Sequence, residues 1–245
     1  MRTIAIVPLR MDSRRLPSKH LRPLDGRPMV DTLLRRLQSL QALDGIVLAT
    51  TDRDCDDPIA AHAAELGLTC HRGAVDDVLG RCAGAAREAE AELVVKANGD
   101  SPLLAPEVIE RALELLSLLQ VDCVTGKNGY TGLPIGLGAE VLTAEALARL
   151  DREVTAPEQR EAITAAVFDK SFDYNWAPLV APVEWRAPEL DLCVDTAEDL
   201  ARLAAILEEL PPRQDCAWPV PQILAAAQAA ETKAFRQFQP REARA

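Results

Sequence analysis

The sequence predicts an α/β fold with a mainly parallel sheet flanked by helices. Short apolar runs alternate with segments of helical period through the first half of the chain, and that order implies right-handed crossovers between parallel strands. The runs are nearly continuous in aliphatic residues, as in strands covered on both faces. Of 245 residues, 48% are apolar, enough for one large core.

Taken in order, Thr3-Ile4-Ala5-Ile6-Val7-Pro8 reads as a buried first strand. Met29, Leu33, Leu34 and Leu37 then recur at helical spacing behind Pro28, a residue suited to a helix start. Gly45 breaks that pattern, and 46–50 reads as the second strand. Residues 56–66 read as a helix stopped by Gly67, and 68–71 as a short strand. A helix over 76–91, a strand over 93–97, a helix over 106–119 and a strand over 121–125 complete the alternation. Residues 126–138 hold five Gly and one Pro, which predicts a loop or lip. Beyond it a strand is expected over 139–142, helices near 143–150 and 157–169, irregular chain over 172–190, a strand over 191–194 and a helix over 196–210. The Ala-rich tail, 219–245, ends in Arg241 and Arg244 and is expected to be a helix with a frayed end. The whole reads as one domain, 1–245, with a first half over 1–125, a second half over 126–210 and a closing helix and tail over 211–245.

The net charge is −11 and the aromatic content 4%, which argues against nucleic-acid binding. The six Cys form no C-x-x-C pair and only three His are present, so a zinc site is not expected. No leader and no apolar run of membrane length are visible, which predicts a cytoplasmic protein with free thiols.

Against this acidic background, Leu9-Arg10-Met11-Asp12-Ser13-Arg14-Arg15-Leu16-Pro17-Ser18-Lys19 is cationic and directly follows the first strand. The carboxyl edge of an open α/β sheet is where ligands bind. Three Arg and one Lys there predict a polyanion, and a nucleoside triphosphate fits. Arg forks grip paired phosphate oxygens, while Lys acts as a mobile point charge. Arg10, Ser13, Arg15 and Lys19 are the expected phosphate contacts. The loop lacks the G-x-x-x-x-G-K-[ST] spacing of a Walker A motif.

Two further segments place carboxylates at the same edge. Ala97-Asn98-Gly99-Asp100-Ser101-Pro102 follows a strand, and Leu192-Cys193-Val194-Asp195-Thr196 precedes a helix. Each reads equally as a turn or a helix cap. Together, Asp100 and Asp195 could hold one Mg²⁺, a hard ion that shares carboxylate and phosphate oxygens.

These segments resemble the cytidylyltransferases that activate sugar acids: CMP-Kdo synthetase, acylneuraminate cytidylyltransferase and, most closely, the spore-coat polysaccharide cytidylyltransferase group. Leu48-Ala49-Thr50-Thr51-Asp52, the run from Arg72 to Arg81, Pro134-Ile135-Gly136-Leu137-Gly138-Ala139-Glu140-Val141 and Arg160-Glu161-Ala162-Ile163-Thr164 resemble that group's motifs in order. The resemblance implies a Rossmann-like nucleotidyltransferase (glycosyltransferase-A-like) fold, CTP as co-substrate, Mg²⁺ and a homodimer. It implies catalytic roles for Arg10, Lys19 and Asp100, metal ligation by Asp100 and Asp195, and nucleotide contacts from Leu9, Arg10, Ser13, Arg15, Lys19, Arg72, Arg81 and Asn98. Lys127, Glu140, Arg160 and Arg186 would face the acceptor.

The chain departs from the pattern at Asp12, where Gly is usual, at Gly80, Ile135 and Gly138, where Asp is usual, and at Ala162, where His is usual. The resemblance implies that 1–125 binds CTP and that 126–210 shapes the acceptor pocket and the dimer; three of these departures lie in that second half, which implies a kept reaction with a changed acceptor. The expected reaction moves CMP from CTP to an anionic acceptor, either a small phosphonate such as phosphonoformate or aminoethylphosphonate, or a sugar acid, with release of pyrophosphate. Phosphonate cytidylyltransferases share the same motifs. A glycosyltransferase on the same fold and a non-catalytic CTP-binding module are the alternatives.

Overall fold

The computed structural model describes residues 1–238. Its elements in chain order are β1 (Thr3–Pro8), the small hairpin β2 (Pro23–Leu24) and β3 (Arg27–Pro28), α1 (Met29–Gln38), β4 (Gly45–Thr51), α2 (Asp57–Glu65), β5 (Thr69–Gly73), α3 (Val78–Glu88), β6 (Leu93–Lys96) and α4 (Pro106–Leu119). There follow β7 (Cys123–Thr125), α5 (Asn128–Thr131), β8 (Glu140–Thr143), α6 (Ala144–Glu153), α7 (Pro157–Glu161), β9 (Trp176–Pro178), α8 (Ala197–Glu208) and α9 (Val220–Phe238). Seven strands form one sheet in the order β5-β4-β1-β6-β8-β7-β9. All run the same way except β8, which is antiparallel to both β6 and β7.

Side chains alternate across a strand, and here the alternation divides the core in two. Ala5, Val7, Leu48, Val95 and Val141 face the layer containing Leu33 of α1, Ile59 of α2, Val108 of α4, Leu203 of α8 and Ile223 of α9. Ile4, Ile6, Val47, Val94 and Leu142 face the other layer, with Leu79 of α3 and Leu147 of α6. Arg36 of α1, with no exposed surface, donates to the carbonyls of Leu104 (2.7 Å), Cys216 and Trp218 (3.2 Å), and so fastens the chain that leads into α9.

Most expected elements are present within a few residues. The strand expected over 191–194 is not: that segment makes one bridge, Ile135 to Asp191, and then turns into the α8 cap. The helix expected over 157–169 stops at Glu161, because Ile163 takes φ 45° and reverses the chain before a 3-10 turn, Ala165–Phe168. Strand β9 lies inside the chain expected to be irregular, and α5 inside the glycine-rich lip. Arg241 and Arg244 lie outside the described residues. Among those described, no helix is long and apolar enough to cross a membrane.

Candidate active site

A cleft of about 630 Å³ opens over the carboxyl ends of β1 and β6, a size typical of ligand sites. It is lined by the loop after β1 (Arg10, Ser13, Arg14, Arg15, Lys19), the turn after β6 (Asn98, Gly99, Asp100), Arg81 of α3, Lys96, Lys127 and Asp195. Seven basic and three acidic side chains line it, in a chain of net charge −11. Such a surface concentrates anions.

The basic loop is held from within. Leu9 and Leu16 are buried, and the Ser18 amide closes the loop on the Met11 carbonyl (2.7 Å). Ser18 takes a left-handed conformation, φ 59°, which turns the chain into the 3-10 turn Lys19–Leu21. Outside the cleft, buried Asp56 accepts the Met11 amide (2.6 Å), and Arg53 bridges Asp56 (3.3 Å) and Asp12 (2.7 Å). The Arg53 guanidinium holds the Asp12 carboxyl below its usual range. Asp12 also pairs with Arg10 Nε (3.3 Å), so it ties the loop to the end of β4 and does not line the cleft. Two D-x-D spacings, Asp52 to Asp54 and Asp54 to Asp56, also lie outside the cleft lining.

The two aspartates meet at one ammonium. The Val194 amide donates to the Asp100 carbonyl (2.8 Å), which joins the late segment to the β6 turn. Lys19, 8% exposed at its side chain, then donates to Asp195 Oδ1 (2.9 Å), Asp100 Oδ2 (3.4 Å) and the Val194 carbonyl (2.9 Å). Arg15 takes the other Asp195 oxygen at 2.7 Å. The Asp195 carboxylate is available because Thr196, not Asp195, caps α8, in a capping box with Asp199.

His20 packs beneath the same turn, with Nδ1 3.2 Å from the Gly99 carbonyl. Burial, with help from the Lys19 charge, lowers its pKa to about 4, so the ring is neutral and Nδ1–H donates. A Cβ on Gly99 would lie 3.1 Å from His20 Cε1 and 3.2 Å from Leu9 Cβ, and this close packing is what glycine permits.

At the far side, Lys96 and Lys127 share Glu140. Lys96 Nζ is 2.8 Å from Glu140 Oε2, Lys127 Nζ is 3.0 Å from Oε1, and the Thr164 hydroxyl donates to Oε1 (2.7 Å). Burial alone would raise the Glu140 pKa, but the two ammonium charges pull it down to about 2. Glu140 reaches this edge because β8 is reversed, so that its first residue sits beside Lys96, the last of β6.

Of the residues expected to bind ligand, Leu9, Arg10, Ser13, Arg15, Lys19, Arg81, Asn98, Asp100, Lys127 and Asp195 line the cleft. Arg81 is buried, donates to the Ala74 and Val75 carbonyls, and keeps an unpaired Nε. Arg72, Glu140, Arg160 and Arg186 do not line it. Arg72 binds the Thr51 and Arg53 carbonyls and Asp57. Arg160 clasps Asp77 and Asp151, fixing α7 to α3 and α6. Arg186 donates to the Ala181 carbonyl and lies against Gly132. Sequence reasoning missed Lys96, His20 and Glu161 as lining residues. A lysine ending an apolar strand was a readable signal for the first.

Three departures from the family pattern leave space that a larger side chain would take. A Cβ at Gly138 would fall 2.0 Å from the Gly126 carbonyl oxygen, and one at Gly80 would fall 2.3 Å from Asp77 Oδ2. Ala162 lines the cleft where a larger side chain would occupy it.

A set of paired aspartates, a cationic loop and an adjacent acid-holding lysine pair suits transfer of a phosphorus group. Comparison with known proteins agrees. The cytidylyltransferase family matches residues 4–214. The spore coat polysaccharide biosynthesis protein SpsF of Bacillus subtilis is 29% identical over 86% of this chain and 88% of its own. A cytidylyltransferase structure from Leptospira borgpetersenii superposes with TM-score 0.86 at 23% identity, covering 98% of both chains. A CMP:2-keto-3-deoxy-manno-octonic acid synthetase complexed with CTP superposes with TM-score 0.63 at 16% identity, over 86% of this chain and 100% of that one. With its Rossmann-like nucleotidyltransferase sheet and its match over residues 4–214, this chain belongs to the cytidylyltransferase family.

Proposed function

We propose that the protein transfers CMP from CTP to an acceptor that carries an acid group, and releases pyrophosphate. The observation that carries this is the convergence of Asp100 and Asp195 on Lys19 beside Arg10 and Arg15. Arg10, Ser13, Arg15 and Lys19 bind the triphosphate. An acceptor oxygen attacks the α-phosphorus, the new P–O bond forms as the α–β bridging P–O bond breaks, and its electrons leave with pyrophosphate. Lys19 and Arg10 stabilise that leaving charge. Arg81, which lines the cleft, would contact the cytidine, as the family resemblance implies.

A divalent ion fits the donor set. Asp100 and Asp195 offer hard oxygens at one point, and no group of three or more metal-ligating side chains occurs among the described residues, so phosphate and water would complete the shell of Mg²⁺. When bound, it would neutralise phosphate charge.

The acceptor oxygen arrives already ionised. Of the cleft-lining groups that could serve as a base, His20 is committed by burial and its bond to Gly99, and Asp100 and Asp195 by Lys19, which leaves Glu161, on the exposed rim and 4.0 Å from Arg10. A phosphonate oxygen needs no base, whereas a sugar hydroxyl profits from one. The likeness to SpsF, named for polysaccharide biosynthesis, favours a sugar acid as the second reading. A homodimer belongs with this reading, and exposed Val180 and Val183 supply apolar surface for it.

The test is a pyrophosphate-release assay with CTP, Mg²⁺ and a panel of phosphonates and sugar acids. Turnover is expected, and Asp100→Asn and Asp195→Asn are each expected to lower kcat by about 100-fold or more. Turnover of a nucleotide sugar without free pyrophosphate, or an inability to bind CTP, overturns the reading.

A further inference from the structure

We infer that Lys96 and Lys127 form a two-ammonium clamp for the acid group of the acceptor, with Glu140 as their internal counter-ion and not itself an acceptor ligand. The inference rests on the proposed transferase reading and adds the residues that choose the acceptor. It begins with strand direction. Lys96 ends β6, Lys127 lies just past the end of β7, and the reversed β8 inserts Glu140 between them. Glu140 is 4% exposed, and both of its oxygens are occupied, one by Lys96 and the other by Lys127 and Thr164.

The balance of charge and of donors then points outward. Two ammoniums share one carboxylate, which leaves one positive charge at the cleft wall. Each ammonium has three N–H donors. Glu140 takes one from Lys96, while Glu140 and the Thr164 oxygen (3.3 Å) take two from Lys127. Both side chains line the cleft, so the remaining donors face it. An oxyanion bridging two ammoniums makes charge-assisted bonds stronger than neutral ones.

The clamp is also held in place. Lys96 is 11% exposed at its side chain, and Glu140 raises its pKa against the effect of burial. The Lys127 ammonium lies 4.7 Å from the centre of the Phe168 ring, a cation–π contact. Thr164 is placed by the reversal at Ile163, where a β-branched residue at φ 45° is a strained choice. Such strain gathers at ligand sites. Lys96, Lys127 and Ile163 line one cleft with the phosphate loop, so the acid group would lie within the same enclosure as CTP.

The experiment titrates the full chain with methylphosphonate, acetate and, as the uncharged control, glycerol, each with and without saturating CTP and Mg²⁺, by calorimetry. Wild type is expected to bind at least one of the two anions and not glycerol, and the stronger anion identifies the acid group as phosphonate or carboxylate. Lys127→Ala is expected to weaken that anion about 10-fold or more and leave CTP affinity within about twofold, whereas Lys127→Arg retains the anion. Anion binding by wild type that Lys127→Ala leaves unchanged overturns the clamp, and so does a wild type that binds neither anion. CTP affinity is read separately in the same titrations, so loss of the transferase reading shows as absent CTP binding whatever the anions do.

Discussion

Acidification should weaken the fold through His20, and by an amount that the buried ring sets. His20 is 4% exposed and donates from Nδ1 to the Gly99 carbonyl. Burial and the neighbouring Lys19 ammonium lower its pKa from 6.5 to about 4. At about 1.4 kcal/mol per pH unit, that is roughly 3 kcal/mol. The folded-state value is depressed, so the stabilisation is complete above pH 6.5 and is lost as pH falls towards 4. The assay is urea unfolding of wild type and His20→Asn at steps from about pH 7.5 to about pH 4. Asn keeps an amide N–H for Gly99 but does not titrate, and all other groups titrate in both proteins. Wild type is expected to lose about 3 kcal/mol more than the variant across that window. Parallel curves would refute the argument. Because Gly99 precedes Asp100, the KM for CTP should rise in the same window.

Two further perturbations test the packing. Gly138→Ala places a Cβ 2.0 Å from the Gly126 carbonyl oxygen, and the backbones must part at a cost of about 1–3 kcal/mol; Gly129→Ala, in open space on the same lip, should leave the melting temperature unchanged, and equal melting of the two variants would contradict this. Arg36→Met removes the guanidinium bonds to the Leu104, Cys216 and Trp218 carbonyls, of which Cys216 keeps only the Trp218 amide, and should cost roughly 3 kcal/mol in denaturant unfolding, with α9 the first element to lose amide-exchange protection.

Much of the molecule was legible because its strands are short, apolar and separated by helices of regular period. The site's basic loop was legible for an electrostatic reason: four cations gathered in an acidic chain. What the sequence hid was direction and reversal. Nothing in Glu140-Val141-Leu142-Thr143 says that this strand runs against its neighbours; the reversal brings Glu140 to the cleft edge, and there it sits between two lysines, where the resemblance had implied an acceptor contact. Arg160 and Arg72 stand in motif-like runs but hold Asp77 and Asp57, and ion pairing of that kind has no period. The reversal at Ile163 defeats local propensity, since a β-branched residue rarely adopts positive φ. Asp195 was read correctly as a carboxylate at the sheet edge, though for a strand that does not form; a cap and one backbone bond place it there.

The nitrogen of Lys19 is a knot in the chain. It gathers Asp100 from 81 residues downstream and Asp195 from 176 downstream, and the carbonyl of Val194 locks it in. No contiguous fragment that omits either end can therefore assemble this pocket. Its occupancy would be a strict readout of whether nearly the entire polypeptide, from the first strand to the start of α8, has reached its native arrangement. A copy truncated before Val194 would lose one of the two aspartates and the carbonyl that fixes Lys19.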